Sequence, residues 1–103
     1  MELRMRINQI AYRDGVVAVD NSSGDSDGVG FGVTVWKVQK DGTLAVKDSL
    51  YWDPGVAPDT DRLFGWLQQQ GASRVVDTSR ERVMPRRSYV AHVKGMIRDG
   101  CFE

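Results

Sequence analysis

Residues 31–52 read FGVTVWKVQKDGTLAVKDSLYW and predict a β-hairpin. Apolar and polar side chains alternate on both sides of Lys40-Asp41-Gly42, as half-buried strands require. An Asp-Gly pair between two such runs favours a tight turn, because both central positions of that turn need positive φ. The alternation predicts one face of the sheet that consists of Phe31, Val33, Val35, Leu44, Val46 and Leu50.

The residues before this hairpin predict two further strands. Leu3, Met5, Ile7 and Ala11 share one parity against charged neighbours, which favours a strand over about residues 2–12. Arg13-Asp14-Gly15 then predicts another turn, and an apolar run at 16–19 follows it. Four strands in series predict an antiparallel meander.

The second half of the chain predicts helices. Asp59 precedes an apolar stripe at helical spacing that ends before Gly71, which indicates a helix over about 59–70. A second stripe, from Tyr89 to Ile97, ends before Gly100 and indicates a helix of about three turns. Residues 72–77 between them predict a short fifth strand.

Strands that precede helices are typical of the α+β class. We therefore predict an antiparallel four- to five-stranded meander sheet with two helices packed on one face, in a single domain over residues 1–103. A chain of 103 residues with 41% hydrophobic side chains suits one core.

Cysteine usage and hydropathy predict a cytoplasmic protein. Cys101 is the single cysteine of the chain, so no intramolecular disulfide forms and a reducing compartment is the default. No run approaches the roughly 18–20 apolar residues that span a bilayer. Residues 1–12 carry Glu2, Arg4 and Arg6, which argues against a signal peptide.

Charge is unevenly distributed although the net charge is zero. Residues 14–61 hold nine Asp and three Lys, a net of −6, and residues 62–103 hold eight cations and four carboxylates, a net of +4. Such faces usually pair across the surface, but arginine also binds carboxylates and phosphates in a bidentate way. The candidate partner-binding residues are the basic residues Arg80, Arg82, Arg86, Arg87, Lys94 and Arg98 and the sheet aromatics Trp36 and Tyr51.

Trp36 and Tyr51 are predicted to lie, with Tyr12 and Thr34, on the sheet face opposite the helices. Left uncovered, they would form a surface for a protein partner or for a second copy of the chain. The alternative is that a loop covers them or that they form a cross-strand pair.

The sequence gives weaker support for calcium binding and for phosphate binding. The loop at 20–28 concentrates Asp20, Asp25 and Asp27, and its residues 25–28 imitate the middle of a calcium loop. Ser23 and Thr34 would occupy the first and twelfth ligand positions, so a solvated loop is favoured. The glycines at 28, 30 and 32 match no phosphate-binding spacing, and Gly30 and Gly32, which lead into a strand, indicate relief of crowding or a bulge.

Nucleophilic catalysis is not indicated either, because the lone His92 and Cys101 have no partner within their own segments.

With the first segment set aside, the order strand-strand-strand-helix-strand resembles the first part of a ribonuclease-H-like domain. The resemblance covers about 65 residues and implies two-metal ligands at Asp20, Asp61 and Asp77. The competing interpretation gives these aspartates structural roles in turns and caps.

The sequence therefore favours a non-catalytic cytosolic binding or accessory protein without a cofactor, acting on a protein partner or on a second copy of itself. Small domains without a catalytic motif are often accessory or inhibitory factors, including products of phages and mobile elements. The alternatives are nucleic-acid binding and a ribonuclease-H-like, metal-dependent activity.

Overall fold

The computed structural model describes residues 3–25 and 28–102 of the chain. Within them the fold is α+β, with helices on both sides of one sheet. In chain order the elements are α1 (Leu3–Asp14), β1 (Val16–Asp20), β2 (Ser23–Asp25), β3 (Gly28–Val38), β4 (Leu44–Trp52), α2 (Thr60–Gln69), β5 (Arg74–Asp77), β6 (Arg82–Pro85) and α3 (Arg86–Arg98).

The sheet is mixed, which corrects the prediction of a purely antiparallel meander. Its strands lie in the order β4-β3-β1-β5-β6, and β2 continues the line of β1 because both pair with β3 in one unbroken register. β5 runs parallel to β1, whereas every other pair is antiparallel. The parallel pair is possible because α2 carries the chain back across the sheet between β4 and β5.

The first element is a helix, so the strand predicted over about 2–12 is wrong. Leu3, Ile7 and Ala11 are four residues apart, and a strand and a helix both place such residues on one side. Met5 distinguishes the two, because a strand would bury it beside Leu3 whereas α1 leaves it 52% exposed. The segment is also rich in Leu, Met, Arg and Gln, which favour helices, and has β-branched residues only at Ile7 and Ile10.

The predicted turn at Arg13-Asp14-Gly15 is the end of this helix. Gly15 has a φ of +85°, and its N–H donates to the carbonyl oxygen of Ala11 at 2.7 Å. Glycine with positive φ serves both hairpin turns and helix ends, so the Asp-Gly pair does not distinguish them. Lys40-Asp41-Gly42 does form the predicted turn, between β3 and β4, and Gly42 also has a φ of +85°.

Two apolar cores lie on opposite sides of the sheet. α2 and α3 cover one face, as predicted, and the core there includes Phe31, Val33, Val35, Leu63, Leu67, Tyr89 and Val93. α1 is the third helix and covers part of the other face, where Ile10 and Ala11 pack against Val17 and Val76. The predicted arrangement of two helices on one face is therefore incomplete.

A β-bulge divides the face predicted for Leu44, Val46 and Leu50. The pairing of β3 with β4 slips by one residue between Val35 and Trp36, so the side chains of β4 change sides beyond that point. Leu50 lies in the core under α2 and α3, Leu44 packs on the α1 side, and Val46 is 53% exposed.

α2 and α3 occupy the predicted segments. Asp59 caps α2, since its carboxylate accepts the N–H groups of Asp61 and Arg62, both at 3.1 Å. Gly71 and Gly100 follow α2 and α3 with φ of +76° and +77°. β5 confirms the predicted fifth strand, whereas β6 was not predicted, because its surroundings in the sequence are polar and basic.

Candidate functional site

Asp20 and Asp77 lie side by side at the carboxyl ends of β1 and β5. The two strands are parallel and these residues are register partners, so their side chains leave the same face of the sheet. That face carries α3, which places Tyr89 and His92 near the pair. The carboxyl ends of parallel strands are a common place for ligands in open sheets, so this cluster is a candidate site.

Asp20 accepts three hydrogen bonds, two at its carboxylate and one at its backbone carbonyl oxygen. The buried hydroxyl of Tyr89 donates to Oδ2 at 2.8 Å, and the N–H of Ser22 donates to Oδ1 at 2.8 Å. The hydroxyl of Thr78 donates to the Asp20 carbonyl oxygen at 3.0 Å. Burial, followed by the charge of Asp20, raises the pKa of Tyr89, so its phenol stays protonated and remains a donor.

Asp77 is a buried carboxylate with two guanidinium partners. It is 1% exposed, and its Oδ2 lies 3.2 Å from Nη1 of Arg80 and 3.7 Å from Nε of Arg82. The backbone N–H of Arg80 also donates to Oδ1 at 3.3 Å. The carboxylate therefore holds the turn between β5 and β6, and a buried charge of this kind needs such partners.

His92 completes the cluster as a neutral side chain. Burial lowers the pKa of His92, the charges of Arg80 and Arg82 lower it further, and Asp77 and Asp20 act in the opposite direction. Its Nε2 atom is buried and has no hydrogen-bond partner among the described residues.

The third candidate metal ligand, Asp61, is not part of this cluster. It lies in the first turn of α2, where it lines a hollow of about 270 Å³ with Arg87 and Lys94. Among residues 3–25 and 28–102, no three His, Cys, Asp or Glu side chains are placed to hold a metal ion. The structure thus brings Asp20 and Asp77 together and leaves Asp61 apart.

The calcium-loop candidate falls largely outside the described residues. Residues 26 and 27 are not described, and for residue 25 only the backbone, in β2, is described. Asp20, its remaining candidate ligand, belongs to the cluster with Tyr89.

Three of the predicted partner-binding arginines have partners within the chain. Arg80 and Arg82 bind Asp77. Arg86 donates from Nη1 to the carbonyl oxygen of Ala72 at 3.0 Å, and its guanidinium carbon lies 5.2 Å from the ring centroid of Phe64. These side chains hold the β5–β6 turn and the start of α3 in place.

The other three cations lie exposed along one side of α3 and form a basic stripe that consists of Arg87, Lys94 and Arg98. Their spacing of seven and four residues keeps them on a single helical face. Arg98 is close to Asp99, with 3.8 Å between Nε and Oδ1, but both side chains are mostly exposed, so this pair contributes little.

Trp36 and Tyr51 lie on the opposite side of the sheet from the basic stripe. Trp36 is half-buried because α1 packs beside it, so a helix, and not the loop or cross-strand pair that was considered, covers part of this face. Tyr51 is 58% exposed and lies across Gly30 and Gly32, where an added Cβ would come within 2.7 Å and 3.2 Å of its ring or hydroxyl. These glycines relieve crowding, as predicted.

A second group of arginines lies on α1 and β5, where the sequence pattern did not indicate a cluster. Arg6 and Arg13 of α1 line a hollow of about 320 Å³ with Arg74, which pairs with Asp14 at 2.9 Å. Arg6 and Arg13 are seven residues apart, so they share a side only when the segment is helical. The strand prediction could not have placed them together.

Comparison of the chain with protein-family models, with curated proteins and with solved structures gave no match. In the part of the chain that the structure describes, no helix is both long and apolar enough to cross a membrane.

Proposed function

We propose that this protein is a non-catalytic binding protein that captures an acidic protein partner through the basic stripe. The observation that carries the proposal is the separation of charge on α3. Between Arg82 and Arg98 the sequence has no Asp or Glu, and the three exposed cations of the helix share one side. Asp61 of α2 lines the same hollow as Arg87 and Lys94, and Asp99 lies beside Arg98, so the three cations exceed these carboxylates by one charge. An excess of positive charge attracts an acidic partner and steers its approach.

The spacing of the stripe fits a short acidic segment. At about 1.5 Å of rise per residue, Arg87 and Lys94 are roughly 10 Å apart along the helix axis, and Arg98 is roughly 6 Å further on. An extended peptide advances about 3.3 Å per residue, so an acidic segment of about six residues spans the three cations. Two of the three cations are arginines, which form paired hydrogen bonds with carboxylates.

A protein partner is favoured over nucleic acid by the charge of the whole chain. The net charge is zero and the pI is about 6.6, which is unlike the basic domains that bind DNA. Exposed carboxylates at Asp41, Asp48 and Asp53 would repel a long polyanion but would not hinder a short segment bound at α3.

The test is a binding titration with a fluorescein-labelled decaglutamate peptide, followed by anisotropy at about 50 and 200 mM salt. We expect the double variant Arg87→Glu/Lys94→Glu to lose about tenfold or more in affinity, because two attractive contacts become repulsive. The matched control is Lys37→Glu/Lys40→Glu, which reverses two exposed lysines of the β3–β4 hairpin.

Equal binding by the two double variants would overturn the proposal, as would the absence of binding by the unmodified protein. A 20-nucleotide single strand that binds more tightly than the peptide, with a steep salt dependence, would favour the nucleic-acid alternative. Sedimentation of the protein alone identifies self-association, in which the acidic partner is a second copy.

A second candidate is the metal-dependent, ribonuclease-H-like activity, favoured by one observation: Asp20 and Asp77 are neighbours at the ends of parallel strands. The residues present do not fit a two-metal site, because Asp77 is already neutralised by Arg80 and Arg82 and no third carboxylate joins the described cluster. A melting temperature raised by Mg²⁺ or Mn²⁺, and lost in Asp20→Asn, would support this candidate. Identical melting curves with and without the ions would remove it.

A further inference from the structure

A groove on the α1 side of the sheet lies apart from the basic stripe. It has a volume of about 710 Å³ and runs between α1 and the β3–β4 hairpin. Ile7 of α1 forms one wall, Leu44 of the hairpin forms the other, and Val19 and Trp36 form the floor. A volume of this size lies within the range of sites for small molecules.

The groove exists because α1 covers only part of this face. α1 packs over Val17 and Val76, which are fully buried, but Val19 and Trp36 remain half-buried. The hydroxyl of Tyr12 donates to the carbonyl oxygen of Gly42 and ties the helix to the hairpin at one end of the groove. Apolar floor atoms left in contact with water favour an apolar occupant.

The polar groups of the groove are few and carry one sign of charge. Arg4 and Asn8 are one helical turn apart on α1, and Thr43 faces them from the hairpin. Among the residues that the structure describes, no carboxylate lines this groove, and the charge that they contribute is the guanidinium of Arg4.

We propose that this groove binds a small amphipathic anion, meaning a molecule with an apolar body and one carboxylate. The body packs against Trp36 and the aliphatic walls, and the carboxylate accepts hydrogen bonds from Arg4. Arg4 precedes Tyr12 by eight residues, or roughly 12 Å along the helix. That distance accommodates a fused two-ring aromatic or a chain of about eight carbons between the charged end and the end tied by Tyr12.

The test uses 2-naphthoate and its uncharged amide as matched probes, followed by ¹H–¹⁵N spectra of the three tryptophan indoles. We expect both probes to shift the signal of Trp36. Trp52 and Trp66 pack on the other side of the sheet and serve as internal controls. The carboxylate should bind about fivefold more tightly than the amide, as one exposed charge-assisted contact allows.

Arg4→Gln should make the two probes bind equally, and Arg87→Gln, a cation removed from the other side of the sheet, should change neither. Arg4 is exposed, and the same spectra report whether the variant is folded. The proposal is overturned if Trp36 does not respond, if all three indoles respond alike, or if the two glutamine variants weaken binding equally. A Trp36 signal that moves on dilution without any probe would also overturn it, because the occupant would then be a second copy of the chain.

Discussion

Replacing Tyr89 by Phe isolates the contribution of the buried hydrogen bond to Asp20. The ring of Tyr89 is 0% exposed and packs near Phe31, with 6.3 Å between the ring centroids, so phenylalanine keeps the apolar contacts. What is lost is a 2.8 Å bond from the hydroxyl to a carboxylate. A hydrogen bond to a charged group contributes about 1.5–3 kcal/mol.

The lower end of that range applies here. Asp20 is half-buried and keeps the bond from the Ser22 N–H, so water can partly replace the hydroxyl. We expect Tyr89→Phe to lower the free energy of unfolding by about 1.5 kcal/mol, which corresponds to a fall in Tm of roughly 6–12 °C for a domain of this size.

Urea unfolding followed by tryptophan fluorescence measures the loss, with Tyr51→Phe as the matched control. Tyr51 is 58% exposed, and we expect its substitution to change stability by less than about 0.5 kcal/mol. If the two variants are equally stable, the bond to Asp20 does not stabilise the fold and the cluster has to be explained differently. In that case the double variant Tyr89→Phe/Asp20→Asn should show no coupling energy between positions 89 and 20.

Three further predictions concern the cluster and the crowded strand. Asp77→Asn should destabilise the protein by about 2 kcal/mol in urea, because the buried carboxylate is the common partner of two guanidinium groups, which are themselves half-exposed. The pKa of His92 is lower in the folded protein than the value of about 6.5 in the unfolded chain. As the pH falls below about 6.5, the unfolded chain binds a proton more readily than the folded protein does, so the free energy of unfolding decreases. Above that value stability should not depend on this group, and the fall between pH 7 and 5 should be smaller in His92→Gln. Gly32→Ala should lower the Tm by more than Gly30→Ala. A Cβ at position 32 would lie 2.6 Å from Oδ1 of Asn21, a side chain held in place by its own hydrogen bond. A Cβ at position 30 would meet only the far end of an exposed tyrosine side chain, which can move.

The sequence correctly predicted those helices and strands whose apolar pattern fits only one type of secondary structure. The β3–β4 hairpin, α2 and α3 combine an apolar pattern with a turn or a terminating glycine, and each lies where it was expected. The strand prediction for about residues 2–12 was wrong because residues four apart fit both periods. The exposure of Met5 and the burial of Ile10 beside Ala11 separate the helix from the strand. The bulge next to Trp36 was not predicted, although Asp48 interrupts the apolar positions Leu44, Val46 and Leu50 at the point where the pairing slips.

The candidate site was less predictable than the fold because it depends on contacts between distant residues. The aspartates at 20 and 77 were singled out by their positions at strand ends, and the parallel pairing brings them together. Nothing in the sequence indicates that Arg80 and Arg82 fold back onto the second of them. The arginines that looked most available as a basic run are therefore divided between internal partners and the exposed side of α3.

The division of these arginines also explains why the carboxyl ends of β1 and β5 do not resemble an open ligand site. In a parallel pair with a crossover, the backbone at the strand ends needs hydrogen-bond partners, and a ligand often supplies them. Here Thr78 donates to the carbonyl of Asp20, and Arg80 donates its N–H to Asp77, so the chain supplies its own partners. A ligand at this edge would have to displace two ion pairs to a carboxylate that is 1% exposed. The exposed side of α3 and the groove beside Trp36 require no such displacement, which is the physical reason why the two proposed binding surfaces lie there and not at the strand ends.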